Sequence, residues 1–215
     1  MKREQEKVSV LYAFMSTLFA VCIIASNLFE TKQIAFFGHS QTGGLLIFPI
    51  SYIINDCVCE VWGYKRARTM IWQGFKMSVF FVLMALLCDL LPSAEYCNSG
   101  EAFHTIFGLA PRIVVGSLAA FLVGSFLNAY VMTRMKTRDR DRRFSLRAIV
   151  STLVGEGADS LVFFPIALGG VVPWTELPFL MVTQMLLKTL YEVLVLPVTI
   201  RVVRQVKKRE SEEAV

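Results

Sequence analysis

Six long apolar runs dominate this chain, at roughly 8–28, 45–62, 70–91, 106–132, 148–169 and 177–203. An α-helix needs about 20 predominantly apolar residues to cross about 30 Å of hydrocarbon, so each run is long enough to span a bilayer. Inside lipid every backbone N–H and C=O must find its partner within the protein, which makes helices the natural reading of such runs. Composition agrees. Hydrophobic residues make up 55% and charged residues 18% of the chain, against about 45–50% and 25% in soluble domains. This balance excludes a disordered chain, a fibrous one and a disulfide-built miniprotein. The five cysteines, Cys22, Cys57, Cys59, Cys88 and Cys97, mostly lie inside apolar runs and read as small buried hydrophobes. The first run is not read as a cleaved signal, because no small-residue cleavage site follows it and further spans do.

The basic residues set the orientation. Eighteen of the 22 Lys and Arg fall on alternate connections. They are Lys2, Arg3 and Lys7; Lys65, Arg66 and Arg68; seven between Arg134 and Arg147; and Arg201, Arg204, Lys207, Lys208 and Arg209. The opposite connections hold Lys32 alone. Positive charge stays on the cytoplasmic side. The expected fold is therefore an all-α integral membrane domain over 1–215, with six transmembrane helices and both termini in the cytoplasm. A basic cytoplasmic loop at 134–147 and a cytoplasmic tail at 204–215 complete it. The Arg134–Arg147 run has a rival reading as a nucleic-acid patch, but an anchor against anionic lipid suits it better, since no soluble domain carries it.

The remaining bases, Lys76, Arg112 and Lys188, lie within expected spans, as do Asp56, Glu60, Glu156, Asp159 and Glu192. A charge at the bilayer centre costs about 2.5–3.5 kcal/mol on insertion scales, so such residues face the bundle interior or a water-filled path. Their spacing is regular. Asp56 and Glu60 share one face of the second span, and Glu156 and Asp159 one face of the fifth. Gln184, Lys188 and Glu192 recur every four residues along the sixth. Arg112, Gly116, Ala120, Gly124 and Asn128 do so along the fourth, a small-residue seam that lets helices approach closely. Bland readings stand beside these: Lys188 and Glu192 as a structural ion pair, and Lys76 snorkelling to the headgroups. Five acids against three bases leaves carboxylates in excess, which calls for protons or for a cationic or donor-rich ligand. Paired carboxylate oxygens suit an amidine or guanidine edge, and Tyr52, Trp62, Phe163 or Phe164 offers a face for stacking.

The two three-span halves also resemble one another. Each carries an acid pair in its middle span, a lysine in its last, and an Asn late in its first (Asn27, Asn128). An odd number of spans per half would make them an inverted repeat, a transporter signature. Pro49 and Pro165, in comparable spans, are candidate helix breaks. Enzyme readings find little support. His39 and His104 lie in outer connections, Ser160 beside Asp159 lacks a histidine, and no nucleotide-binding glycine motif occurs. No metal site and no cofactor are expected, because the carboxylates lack histidine support.

The stretch Asn55-Asp56-Cys57-Val58-Cys59-Glu60-Val61-Trp62-Gly63-Tyr64-Lys65-Arg66-Ala67-Arg68 resembles the signature of the queuosine precursor transporter family, also called the vitamin uptake transporter family. Ala25-Ser26-Asn27 resembles the end of that family's first span. Similar patches are Pro111-Arg112-Ile113 with Ser117 and Ala120, Arg147 with Ser151-Thr152 and Asp159-Ser160 with Phe163, and Lys188 with Pro197. The resemblance covers nearly the whole chain. Glu156 departs from the family's Gln or Asn, and Asn128 from a common acid. The resemblance implies uptake of 7-deazaguanine precursors of queuosine, in cyano or aminomethyl form or as queuine, with no nucleic-acid partner and the option of a homo-oligomer. Asn27, Asp56, Glu60, Arg112, Glu156, Asp159 and Lys188 would line the site, with Gln184 and Glu192 in support. The alternatives are a substrate-binding subunit of a vector-dependent vitamin importer and a structural membrane protein.

Overall fold

The computed structural model describes residues 9–29, 32–36, 39–94, 96–107, 111–139, 143–170, 173–175 and 177–213. Lys2, Arg3, Lys7, Arg140 and Arg142 of the basic connections lie outside them. Six α-helices make up most of the fold: α1 (Val10–Phe29), α2 (Phe48–Asp89), α3 (Gly100–Phe107), α4 (Pro111–Asp139), α5 (Phe144–Leu168) and α6 (Leu177–Glu213). All but the eight-residue α3 are long and apolar enough to cross a membrane. A two-stranded antiparallel hairpin, β1 (Gln33–Phe36) against β2 (His39–Thr42), and a 3₁₀ turn over Gly43–Leu46 join α1 to α2.

The second and third expected spans are the two helical arms of α2, which meet at Gly63 with no longer loop between them. Gly63 interrupts it at φ 79°, ψ 174°. This conformation is open to glycine and almost closed to other residues. A Cβ at Gly63 would meet no atom within 4 Å, so the requirement is conformational and not one of space. The break turns the chain back. Before it, Tyr52, Asn55 and Cys59 meet Gly124, Ser125 and Ala129 of α4 in rising order. After it the order falls, with Trp72 on Phe126 and Gly74 beside Phe121. The arms 48–62 and 64–89 therefore run in opposite senses, and Lys65, Arg66 and Arg68 belong to the first turns of the second arm. Pro49 stands at the start of α2, where a missing N–H costs nothing, so it breaks no helix.

Three other boundaries differ from expectation. α4 continues to Asp139, α5 begins at Phe144, and α6 runs on to Glu213. Much of the basic loop and most of the tail are thus helical. Lys and Arg are good helix formers and extend a span past the hydrocarbon at little cost.

Polarity is turned inside out. Phe14, Phe80, Leu83, Leu161, Phe179 and Leu194 are exposed, while Asn55, Asp56, Glu60, Asn128, Arg147, Glu156 and Glu192 are buried. Such an apolar exterior around a polar interior is what a bilayer selects. α4 and α5 make the closest helix pair. A Cβ on Gly124 would lie 3.0 Å from the Gly155 carbonyl oxygen, and one on Gly155 3.0 Å from that of Gly124. Gly116 fits against Ile166 and Ala167 in the same way. The small-residue seam of the fourth span is thus a packing surface against α5.

Candidate functional site

At the Gly124–Gly155 crossing α4 and α5 touch backbone to backbone, and the first arm of α2 lays Tyr52 into the gap. The Tyr52 hydroxyl would be 2.6 Å from a Cβ on Gly124. One turn further along that arm, the Asn55 amide donates to the Ser125 carbonyl oxygen (3.1 Å) and to Asn128 Oδ1 (2.9 Å). The Asn128 amide donates in turn to Thr152 Oγ1 at 3.3 Å. This neutral network fixes three helices around a group of acids.

Four carboxyl groups gather there. Glu156 and Asp159, three apart on α5, face Lys188 of α6 at 2.9 and 3.6 Å. Asp56 is fully buried and accepts from Ser151 Oγ at 3.4 Å. Glu192, one turn beyond Lys188 on α6, is buried, and neither of its carboxyl oxygens has a hydrogen-bond partner among the described residues. Among the described residues no base pairs with Asp56 or Glu192, and Lys188 meets Glu156 and Asp159. The expected Lys188–Glu192 pair is therefore replaced by pairing across helices, from α6 to α5. Among the described residues one amine stands against four carboxyls, which leaves the cluster acceptor-rich in a region of low dielectric, where ionised groups without partners are costly.

Glu60 belongs to a different cluster. Its carboxylate meets Arg147 of α5 at 2.7 Å, Lys207 of α6 at 2.6 Å and Lys136 of α4 at 3.8 Å. Lys136 also donates to the Glu60 backbone carbonyl. Beside it the Trp62 indole N–H donates to Glu210 at 2.9 Å. Asn27 lies elsewhere again. It accepts from Ser117 Oγ at 3.0 Å, about 10 Å along α4 from Gly124 at 1.5 Å rise per residue. It also lines a cavity of about 30 Å³ with Ser78, Phe81 and Phe107, room for about one water molecule. Gln184 is half-buried on α6. The side chain of Arg112 lies outside the described residues. Lys76, matched in the sequence to Lys188, is exposed on α2.

The structure thus brings together Asp56, Glu156, Asp159, Lys188 and Glu192, and sets Glu60 and Asn27 apart. It adds Asn55, Ser151 and Thr152, whose signal in the sequence was their place inside motif stretches, and Asn128, which the sequence marked by the four-residue seam of the fourth span and as the counterpart of Asn27. No group of three or more candidate metal ligands occurs among the described residues.

Comparison with known proteins places the chain in a family. A family profile described as "Putative vitamin uptake transporter" matches residues 42–202, three quarters of the chain. Three curated relatives carry related names. A "Probable queuosine precursor transporter" of Bacillus subtilis is 29% identical over 81% of this chain and 76% of its own length. The "Queuosine precursor transporter" of Escherichia coli is 28% identical over 72% and 67%. A "Probable queuosine precursor transporter" of Haemophilus influenzae is 26% identical over 61% and 53%. No solved structure matches the chain.

Proposed function

We propose that this chain, which belongs to the vitamin uptake transporter family and is a multi-pass membrane protein, carries queuosine precursors into the cytoplasm. In this reading the two arms of α2 are separate spans. With α1, α4, α5 and α6 they make six, and the end bearing Lys136, Arg147 and Lys207 faces the cytoplasm. The observation that carries the proposal is the acceptor-rich cluster of Asp56, Glu156, Asp159 and Glu192 around Lys188, buried inside a bundle with a lipid-like exterior.

The ligands we infer are 7-cyano- and 7-aminomethyl-7-deazaguanine, with queuine as a further candidate. A guanine-type edge presents a ring N–H and an NH₂ side by side, which one carboxylate accepts as a pair. Asp56, with an oxygen free of protein donors, is suited to that role. Glu156 and Asp159, oriented by Lys188, would meet an aminomethyl cation. Tyr52 offers a ring beside the same acids. Arg112 is assigned to the ring carbonyl on its sequence position alone. Transport needs no catalytic step, and no residue is assigned one.

The test is genetic. A bacterium unable to make the precursors and lacking its own importer is given this chain and fed nanomolar precursor. Queuosine in its tRNA should rise. Absence of a rise at verified membrane expression would reject the proposal. Uptake by the purified chain alone in proteoliposomes would separate a self-sufficient carrier from a subunit that needs ATPase partners.

A further inference from the structure

Glu60 stands one helical turn beyond Asp56 on the first arm of α2, toward the basic end of the bundle. Carboxylate and bases there come from four different places in the fold: Glu60 from α2, Lys136 from α4, Arg147 from α5 and Lys207 from α6. The contacts to the carboxylate are side chain to side chain, so helices can part at this point without breaking a backbone ladder. The partners are also graded in exposure. Arg147 is fully buried, while the Lys136 and Lys207 side chains are 26% and 42% exposed. Water therefore already reaches two of the three ammonium or guanidinium arms. Rehydrating a half-solvated pair costs far less than separating one sealed in the interior. The Trp62–Glu210 hydrogen bond closes the same seam between α2 and α6.

Behind this seam two thiols are sealed off. Cys57 and Cys59, between Asp56 and Glu60 on the same arm, are 1% and 0% exposed. Cys59 packs against the Ala129 carbonyl of α4.

We propose that the Glu60–Arg147–Lys207–Lys136 cluster is the inner gate of the transport path, closed in this structure, and that its parting lets solute leave the acidic cluster toward the cytoplasm. The inference rests on the reading of the chain as a carrier and deepens it. Glu60 holds helices together and does not touch solute. Arg147, Lys136 and Lys207 act through it.

The test uses Cys57 and Cys59 as reporters and needs no substrate. In full-length protein carrying Cys88→Ser and Cys97→Ser, inside-out vesicles are treated with a membrane-impermeant thiol reagent, and labelling is located by mass spectrometry. With the gate closed, Cys57 and Cys59 label slowly. Glu60→Gln and Lys207→Met shift the open fraction and raise the labelling rate by about tenfold, the change that one differential ionic contact makes in a two-state equilibrium. Lys207→Arg restores slow labelling. Whole cells, where the reagent meets the opposite face, show no acceleration. Should Glu60→Gln fail to fold, Lys207→Met decides alone, because it removes only the most solvated arm. Labelling within about twofold of the parent in a folded Lys207→Met protein, or equal acceleration from both faces, overturns the gate. Failure of uptake in the parent protein would strike the carrier reading and leave the labelling result standing.

Discussion

Two ionic clusters share the first arm of α2, one turn apart, with opposite charge balance. Among the described residues four carboxyls around Asp56 meet one amine, and one carboxylate around Glu60 meets three bases. Both are buried at the acid, and both are built from helices far apart in the chain. The difference lies in what is left over. The Glu60 cluster satisfies its acid completely with protein partners, so its natural use is to hold helices in place. The Asp56 cluster leaves acceptors over, so its natural use is to receive something from outside the protein. Buried charge in a membrane protein is therefore read better by its local balance than by its presence.

The sharpest way to break this comparison is to remove Glu60 itself. Glu60→Ala removes the carboxylate that the fully buried Arg147 meets at 2.7 Å. Breaking a buried pair from one side costs about 3–5 kcal/mol. Thermal unfolding in detergent should drop accordingly, and the folded yield with it. Unchanged unfolding would show that Arg147 is held by other partners and that the cluster is no structural tie.

Asp56→Asn should behave in the opposite way. Asp56 has no base partner among the described residues, and the amide of Asn keeps an oxygen that accepts from Ser151. Stability should hold within about 1 kcal/mol, while uptake falls by about 10–100-fold, the effect of losing one charge-assisted hydrogen bond to solute of about 1.5–3 kcal/mol. Flux through the variant in proteoliposomes, set against its unfolding curve, checks both halves. Loss of fold with loss of flux would erase the distinction between the clusters.

A smaller effect tests whether the acidic cluster depends on close helix approach. Gly124→Ala places a methyl 2.6 Å from the Tyr52 hydroxyl and 3.0 Å from the Gly155 carbonyl oxygen. Overpacking of this kind costs about 1–3 kcal/mol. Tyr52 can give way; the backbone cannot. Uptake should therefore fall together with stability, and a second change of Tyr52→Phe should recover part of both.

The sequence made the spans and the acid pairs legible because both are local. Hydropathy is summed over one run, and a spacing of three or four places side chains on one face. It did not reveal the partners of Glu60. Lys136, Arg147 and Lys207 stand 76, 87 and 147 positions away; the first two read as part of a basic loop against lipid, and Lys207 as one of the basic residues of the cytoplasmic tail. Nor did it reveal the turn at Gly63. Lys65, Arg66 and Arg68 read as a loop by charge, yet all three favour helix, so the chain needs only one glycine to reverse. The match of Lys188 to Glu192 by spacing was a same-helix argument, and the pairing across to α5 overrode it.

Lys76 and Lys188 give the finest test, since their sequence positions make them counterparts in two halves of the chain. Their surroundings do not. Lys188 is buried between Glu156 and Asp159, whereas Lys76 is exposed on the outer face of α2 with a four-carbon stem able to reach toward the headgroups. If balance with nearby acids is what gives a membrane lysine its role, Lys76→Leu should change stability by no more than about 0.5 kcal/mol and leave uptake at the parent level. Lys188→Leu in the same assays should cost both, because two carboxylates then lose their cation. Equal losses from the two substitutions would mean that position in a repeated half outweighs local charge, and would return the inverted-repeat reading to the centre of the mechanism.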